Sequence, residues 1–239
     1  MKGITEKITV LDKGFVQLQD MMPHWSIAEA ESAVVNAARV SFLHDSKGSE
    51  LDEKLLRYML RNKHTSPFEH VIFKFIVKAP VIVWWQWVRH RTWSFNFQSG
   101  RYVEFHENDF YIPEQWRKQS SSNKQGSEGL IDDPNMDFEW EMSAISDLCY
   151  KQYQTSLSSG VAKEQARLFL PGFAVYYQAI ATVDAHNLIS FLRLRMESHA
   201  QFEIQEYARA IWTNVFTRVM PWTTKFLMET EPAIFGETK

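Results

Sequence analysis

One cysteine, Cys149, occurs among 239 residues. A single thiol can form no internal disulfide and cannot build a Cys-based zinc site, and such scarcity suits a reducing compartment. Glycine is sparse too, at nine. No G-x-x-x-x-G-K-S/T or G-x-G-x-x-G run is present, so side chains, not a glycine loop, must hold any phosphate-bearing ligand. H-E-x-x-H and paired C-x-x-C are missing, which argues against a protein-ligated metal. Long apolar runs are missing as well. The most apolar stretch, Val71–Val88, is interrupted by Lys74, Lys78, Pro80 and Gln86, whereas a membrane span needs roughly 20 mostly apolar residues. The opening MKGITEKITVLDKG has no signal-peptide core, so a cytoplasmic protein without membrane contact is expected. Charge of one sign is lacking, with 26 Lys+Arg against 29 Asp+Glu and a net charge of −3. Nothing global draws the chain to nucleic acid or an anionic membrane, and anion chemistry must come from a local basic cluster.

Apolar and aromatic bulk is plentiful, at 45% and 14%, enough for a sizeable core and too much for a disordered chain. Ile8–Asp20 alternates loosely and reads as one or two strands. Ile27–Val40 reads as a helix with Ser26 as N-cap, and Leu51, Leu55, Tyr58 and Met59 mark a second helix to Arg61. His64–His70 holds a Ser66-Pro67 turn. Val71–Lys78 alternates as a half-buried strand, and Pro80 at a first helical position opens an apolar helix through Arg91. Tyr102–Phe105 reads as a strand. Gln119–Asp137 is rich in Ser, Asn, Gly and Asp and reads as an exposed loop insertion. Helices are expected at Phe138–Ser158, at Ala162–Leu170 before Pro171-Gly172, from an Asp184 cap to Met196, and at Ala200–Val219 before Pro221. The sum is an α+β fold in a single domain, a β-sheet packed with several helices.

The densest polar cluster is RHRTWSFNFQSGR, Arg89–Arg101, where three Arg and one His stand among Trp93, Phe95 and Phe97. Basic residues after a helix complement its negative end by about 0.3–1 kcal/mol each, and this alone accounts for Arg89. It leaves Arg101 beyond the loop unexplained, along with the hydrogen-bonding groups of Ser94, Asn96 and Ser99. Guanidinium groups grip phosphate bidentately and stack on flat rings, so the cluster suits a nucleotide or a flavin. Stacked RNA bases are the competing reading.

A second cluster spans Asp184–Arg195. On a helix, Arg195 shares the stripe of Leu188 and Phe191 or Leu192, with His199 and Phe202 further along if the turn continues. An unpaired charge there is costly, so Arg195 either pairs with Glu197, Glu203 or Glu206 or awaits an anionic or polarisable ligand. Arg193 reads as a solvated surface residue. His64, Glu69 and His70 flank the Pro67 turn, and Arg167 follows Lys163 by four residues; neither spacing decides between structure and function. Ser99 has no base beside it, and Cys149 has no basic neighbour before Lys151, so neither reads as a nucleophile.

Arg89, His90, Arg91, Ser94, Asn96, Ser99 and Arg101 fill every fixed position of R-H-R-x-x-S-x-N-x-x-S-x-R. In this the chain resembles the flavin-dependent thymidylate synthases. LDKGFVQL, AARVSF, SPFEH, KAPVIVWWQWVRHR, YIPE and LRLRMESHAQFEIQEYA look like family segments in family order. The resemblance implies a homotetramer with active sites shared between subunits, converting dUMP to dTMP without a cysteine nucleophile. The carbon donor would be 5,10-methylenetetrahydrofolate, and the hydride donor reduced FAD, regenerated by NADPH. It implies FAD contacts at His64, Ser66, Arg89, His90 and Arg91, with Phe97, Asp184, His186 and Ser190 by position. It implies dUMP contacts at Gln86, Trp87, Arg89, Phe97, Gln98, Ser99, Gly100, Arg101, Arg167 and Arg195. Arg195 would be the catalytic group, favouring ionisation at uracil N3, and His199 would support the folate side. Two departures stand out: Phe97 replaces a frequent Glu, leaving only a backbone contact to carry over, and Asp184, His186 and Ser190 replace Asn, Arg and Asn of some members.

Overall fold

A computed structural model of the chain describes residues 5–23, 29–42, 48–107, 109–124, 126–133 and 136–236. The short β1 (Ile8–Val10) and the long β2 (Gly14–Met22) form a hairpin, and β3 (Ile72–Pro80) lies antiparallel on β2. Alternation on β3 buries Phe73, Phe75 and Val77 completely while Lys74 and Lys78 stay partly in water. With β4 (Ser94–Phe97) and β7 (Tyr176–Asp184) the sheet runs β1-β2-β3-β7-β4, every pair antiparallel.

Helices cover this sheet and make the fold α+β. α1 (Ala30–Arg39) and α2 (Ser49–Arg61) pack together, and a buried Arg39–Asp52 ion pair ties them. Between β3 and β4 runs the short α3 (Val81–Trp87). α4 (Phe138–Ser158) and α5 (Lys163–Ala166) form a small second core around Phe105, Phe110, Tyr153 and Leu170. α6 (Ala185–Met196) packs on α7 (Phe202–Ile211), which itself lies on β1 and β2. α8 (Thr217–Val219), α9 (Pro221–Thr230) and α10 (Pro232–Phe235) follow. Glu31 of α1 accepts from the Trp222 and Thr223 N–H groups at 2.9 and 2.7 Å, capping α9 from the other end of the chain. Among the described residues no helix is long and apolar enough to cross a membrane.

Several expectations hold to within a few residues: strands over Ile8–Asp20, α2, β3, α4, and α6 with its Asp184 cap. The Ser26 cap and Ile27 lie outside the described residues. Other elements differ, each for a physical reason. β7 was unpredicted because its core face carries Ala179 and Ala181, small residues with weak strand preference. Polar Ser94 and Asn96 are exposed on β4, an edge strand held by its ladder to β7 rather than by a buried face. Tyr102–Phe105 is a turn, not a strand, since the N–H groups of Tyr102 and Val103 fold back on Ser99 O at 3.0 and 3.1 Å. The buried side of α2 is Asp52, Leu56 and Met59, leaving Leu51 and Tyr58 exposed. Pro80 ends β3 and precedes the first helical residue, and α3 stops at Trp87, short of Arg91. Overlapping Gln119–Asp137 is a hairpin of β5 (Arg117–Gln119) and β6 (Ser127–Leu130), whose turn is held by Gln119 Nε2 donating to three carbonyl oxygens. The helix expected at Ala162–Leu170 becomes a 3₁₀ turn from Arg167. Past Ile211, the last long helix widens into a π turn, Trp212–Phe216.

Candidate active site

The cluster's shape follows from one indole. Trp87 is fully buried, stacked on Phe191 at 4.9 Å and edge-on to Trp93 at 5.5 Å. Both tryptophans must reach one apolar pocket, so the chain between them doubles back. Tight bonds make the turn: Arg89 N–H to Gln86 O at 3.3 Å, His90 N–H to Trp87 O at 3.0 Å, and Trp93 N–H to His90 O at 3.2 Å. Arg89, His90 and Arg91 are thereby pushed to the surface of an aromatic core. The Trp87 ring fixes this turn, and its buried Nε1–H has no hydrogen-bond partner among the described residues.

α6 delivers Arg195 to the same corner. Leu188, Phe191 and Leu192 are buried, and Phe191 meets the His90 ring edge-on at 5.0 Å. Arg195 Nε donates to His90 Nε2 at 2.9 Å, and Nη2 to the Gln86 carbonyl oxygen at 3.2 Å. Glu197, Glu203 and Glu206 do not pair with it: the helix ends at Met196, and Glu203 is taken by Arg117. Burial, then the charge of Arg89, lowers the basicity of Arg195, so two guanidinium groups from distant stretches converge. Arg89 and Arg91 are exposed and find no carboxylate partner among the described residues. Among the described residues no carboxylate neutralises this cationic corner.

A ring nitrogen that accepts a hydrogen bond carries no proton, so His90 is neutral with its hydrogen on Nδ1. Burial first, and then the Arg195 charge, pushes its pKa from 6.5 down to about 4. An NMR titration of the His90 ring should therefore show a midpoint near 4. Unfolded chains take up this proton below about 6.5 while the folded protein refuses it, so stability is full above that pH and falls toward 4. The loss is at most ~3 kcal/mol at 1.36 kcal/mol per unit, and smaller for a ring partly open to water. His90→Gln should flatten that limb of the pH–stability curve; a midpoint at the ordinary value would refute the assignment.

Two further groups collect other residues that the resemblance named. His64 and Ser66 sit on the turn after α2; the 3₁₀ segment Ser66–His70 packs on α6, which Asp184 caps and whose first two turns carry His186 and Ser190. Asp184 accepts from the Asn187 N–H at 2.8 Å and from its Nδ2 at 2.6 Å, so its carboxylate is engaged as a cap. At the far end of β4, Ser99–Arg101 meets Arg167. A Cβ on Gly100 would come within 2.7 Å of the Phe105 ring, which is why this position has none. Arg101 pairs loosely with Glu164 at 3.3 Å, and Arg167 Nε donates to Glu164 O at 3.3 Å. Gln98 Oε1 accepts from the Gln178 N–H at 3.3 Å. Phe97 packs edge-on against Trp84 at 4.8 Å, an apolar use of its side chain. His199 lies in the loop after α6, its Nδ1 3.3 Å from Asn123 Nδ2 on the β5–β6 hairpin. Among the described residues no hydrogen bond joins these groups to the Arg195 corner, which Phe97 reaches through the rings of Trp84, Trp87 and Phe191.

The thymidylate synthase complementing protein family has a sequence model that matches residues 21–222. The chain belongs to this family. The flavin-dependent thymidylate synthase of Thermus thermophilus is 46% identical over 213 residues, covering 89% of this chain and 75% of that one. That of Thermosipho africanus is 43% identical over 215 residues, with 90% of each chain covered. A crystal structure of the UMP/dUMP methylase PolB from Streptomyces cacaoi, bound with 5-Br dUMP, aligns with a TM-score of 0.80 at 32% identity, covering 93% of this chain and 97% of that one. The chain is thus an enzyme of the flavin-dependent thymidylate synthase type.

For a member of this family the residues present fit a flavin. A flavin nucleotide brings phosphate and a flat ring system. Arg89 and Arg91 are guanidinium groups without acids, and His64, Ser66, His186 and Ser190 add neutral donors. Sequence reasoning missed a different feature of this family member. A cleft of about 820 Å³ opens beside the corner, walled by Tyr111, Trp116, Arg117, Phe173, Phe202 and Glu203, and none of the residues that the resemblance assigned lines it. Its signal was Glu203, a carboxylate four residues before Tyr207 on the apolar stripe of α7. Arg193, expected in solvent, makes a bidentate pair with Glu231 at 2.6 and 2.8 Å.

Proposed function

We propose that the enzyme reductively methylates dUMP to dTMP, taking its carbon from 5,10-methylenetetrahydrofolate and working as a homotetramer of one catalytic domain per chain. FAD, regenerated by NADPH, supplies the hydride when bound. The observation that carries the reading is the corner of Gln86, Arg89, His90 and Arg195, where cations converge with no carboxylate among the described residues to neutralise them. Relatives named as flavin-dependent thymidylate synthases, and a similar methylase bound with 5-Br dUMP, support it.

The chain's own residues divide the work. His90, held neutral, accepts from Nε of Arg195, and Gln86 O takes one Nη2 proton. Of the five guanidinium N–H groups three are left to face the substrate. Donors placed at the uracil oxygens stabilise the negative charge that builds as N3 ionises and carbon 5 becomes nucleophilic. Ser99, Arg101 and Arg167 hold the dUMP phosphate, with Gln98 and the backbones of Phe97 and Gly100 beside them. Arg89, Arg91, His64, Ser66, His186 and Ser190 hold FAD, and His199 serves the folate side. Cys149, half-buried on α4, belongs to none of these groups, so no thiol attacks the ring. Because the groups lie apart within one chain, the complete site takes the Ser99–Arg101 loop and Arg167 from a second subunit. Exposed Trp85, at 65%, and Leu168, at 81%, offer apolar surface for that assembly.

Purified protein should be yellow, and dUMP should perturb its flavin spectrum. With methylenetetrahydrofolate and NADPH supplied, tritium should leave dUMP labelled at carbon 5. No release from flavin-loaded protein would mean that Phe97 marks a relative without turnover, and the reading falls. A colourless protein with tight RNA affinity would favour the stacked-base alternative.

A further inference from the structure

Glu203 lies in the first turn of α7 at 3% exposure, where an isolated carboxylate would be intolerable. It has three donors. Oε1 accepts from Arg117 Nη2 at 2.5 Å and from the Tyr111 hydroxyl at 3.2 Å, while Oε2 accepts from Gln201 Nε2 at 2.7 Å. Burial pushes the Glu203 carboxyl up, but the bonds from Arg117 and Gln201 more than offset this and hold it below its ordinary range. The group is ionised, and the Arg117 guanidinium is further steadied over the Phe202 ring at 4.7 Å.

An ionised carboxylate can only accept. Gln201 must therefore turn its NH₂ toward Glu203 and its Oε1 away, with no second choice of amide orientation. Gln86 Nε2 donates to that oxygen. Gln86 is thus turned the same way, with its NH₂ engaged and its own Oε1 left as the open acceptor. The backbone oxygen of the same Gln86 holds Arg195.

We propose that Glu203 is a positioning residue for dUMP: acting through Gln201, it fixes the amide of Gln86 so that the site presents a carbonyl acceptor beside the donors of Arg195. This rests on the reading of Gln86 as a dUMP contact, and the relay adds to that reading a buried origin at the cleft wall.

The test is equilibrium dialysis of radiolabelled dUMP against the flavin-loaded enzyme, with flavin content measured alongside. Glu203→Gln keeps an oxygen for Arg117 and Tyr111 but puts NH₂ where Oε2 was. Gln201 then flips, Gln86 flips after it, and the site presents NH₂ instead of oxygen. dUMP affinity should drop about tenfold with flavin content unchanged. Gln86→Glu alone sets its carboxylate against Gln201 Oε1 and should weaken dUMP by a similar factor. Combined, the flipped Gln201 donates to the new carboxylate and an acceptor faces the site again, so the double variant should recover to within about threefold of the parent. A packing role for Glu203 predicts the opposite, losses that multiply.

Parent enzyme that binds no dUMP overturns the function reading. Parent that binds, with Glu203→Gln behaving like it or with multiplied losses in the double variant, overturns only the relay. Should Glu203→Gln lose its flavin or its fold, Gln201→Leu cuts the relay at its middle and leaves the Arg117–Glu203 pair intact. That variant should keep flavin and bind dUMP several-fold more weakly, and unchanged binding would overturn the proposal.

Discussion

Arg195→Ala should lower turnover by about 10²–10³-fold, the usual effect of deleting one donor aimed at developing charge, while most of the flavin stays with the purified protein. The asymmetry follows from the neighbours of Arg195. It touches His90 Nε2 and Gln86 O, whereas Arg89, Arg91 and the Ser66–His70 turn remain in place without it. Arg195→Lys should recover little of the loss, because an ammonium cannot bond His90 and Gln86 O in one plane and still direct three donors outward. A second signature accompanies the first. With the Arg195 charge gone, the His90 midpoint should rise from about 4 toward 6.5 without reaching it, since burial is the larger cause. Flavin and turnover lost in equal measure would make Arg195 a structural residue.

The cationic corner was legible because its chemistry is local. Arg89, His90 and Arg91 are adjacent in sequence, and Arg195 sits one helical stripe from Phe191, so a helix period suffices to aim it at the core. The cleft was not legible, because its residues come from widely separated chain segments and from a hairpin whose Ser- and Gly-rich composition mimics a plain loop. Glu203 could be seen as a buried carboxylate in want of a partner; that the partner is Arg117 depends on where β5 lands, which no pattern in β5 announces. β7 failed for the converse reason. The middle of its core face, between Tyr177 and Val183, is Ala179 and Ala181, small enough for close sheet packing, and alanine carries a helical preference that only the flanking β3 and β4 override. Such positions are decided by neighbours across the sheet rather than by neighbours along the chain.

Gly14→Ala should destabilise the protein by about 3–5 kcal/mol, combining overpacking with a broken buried hydrogen bond. Gly14 opens β2 opposite Val10, beneath α7. A Cβ there would lie 1.9 Å from the Tyr207 hydroxyl, 2.7 Å from Val10 O and 2.8 Å from Lys78 O. The two carbonyl oxygens belong to sheet backbone and cannot retreat singly. The phenol cannot swing aside either: Tyr207 is fully buried, and its hydroxyl donates to Lys78 O at 2.6 Å. Its ring also meets Trp87 edge-on at 5.9 Å, and Trp87 stacks on the Phe191 that faces His90. Pressure at Gly14 therefore reaches the Arg195 corner through three packed rings. Chemical denaturation measures the loss, and Tyr207→Phe isolates its cause. Removing the hydroxyl relieves the nearest clash, so Gly14→Ala should be cheaper in that background by about 1–2 kcal/mol. A penalty below about 1 kcal/mol in the parent, or strict additivity of the two changes, would show that the β1–β2 hairpin shifts off Tyr207 and that the contact constrains nothing.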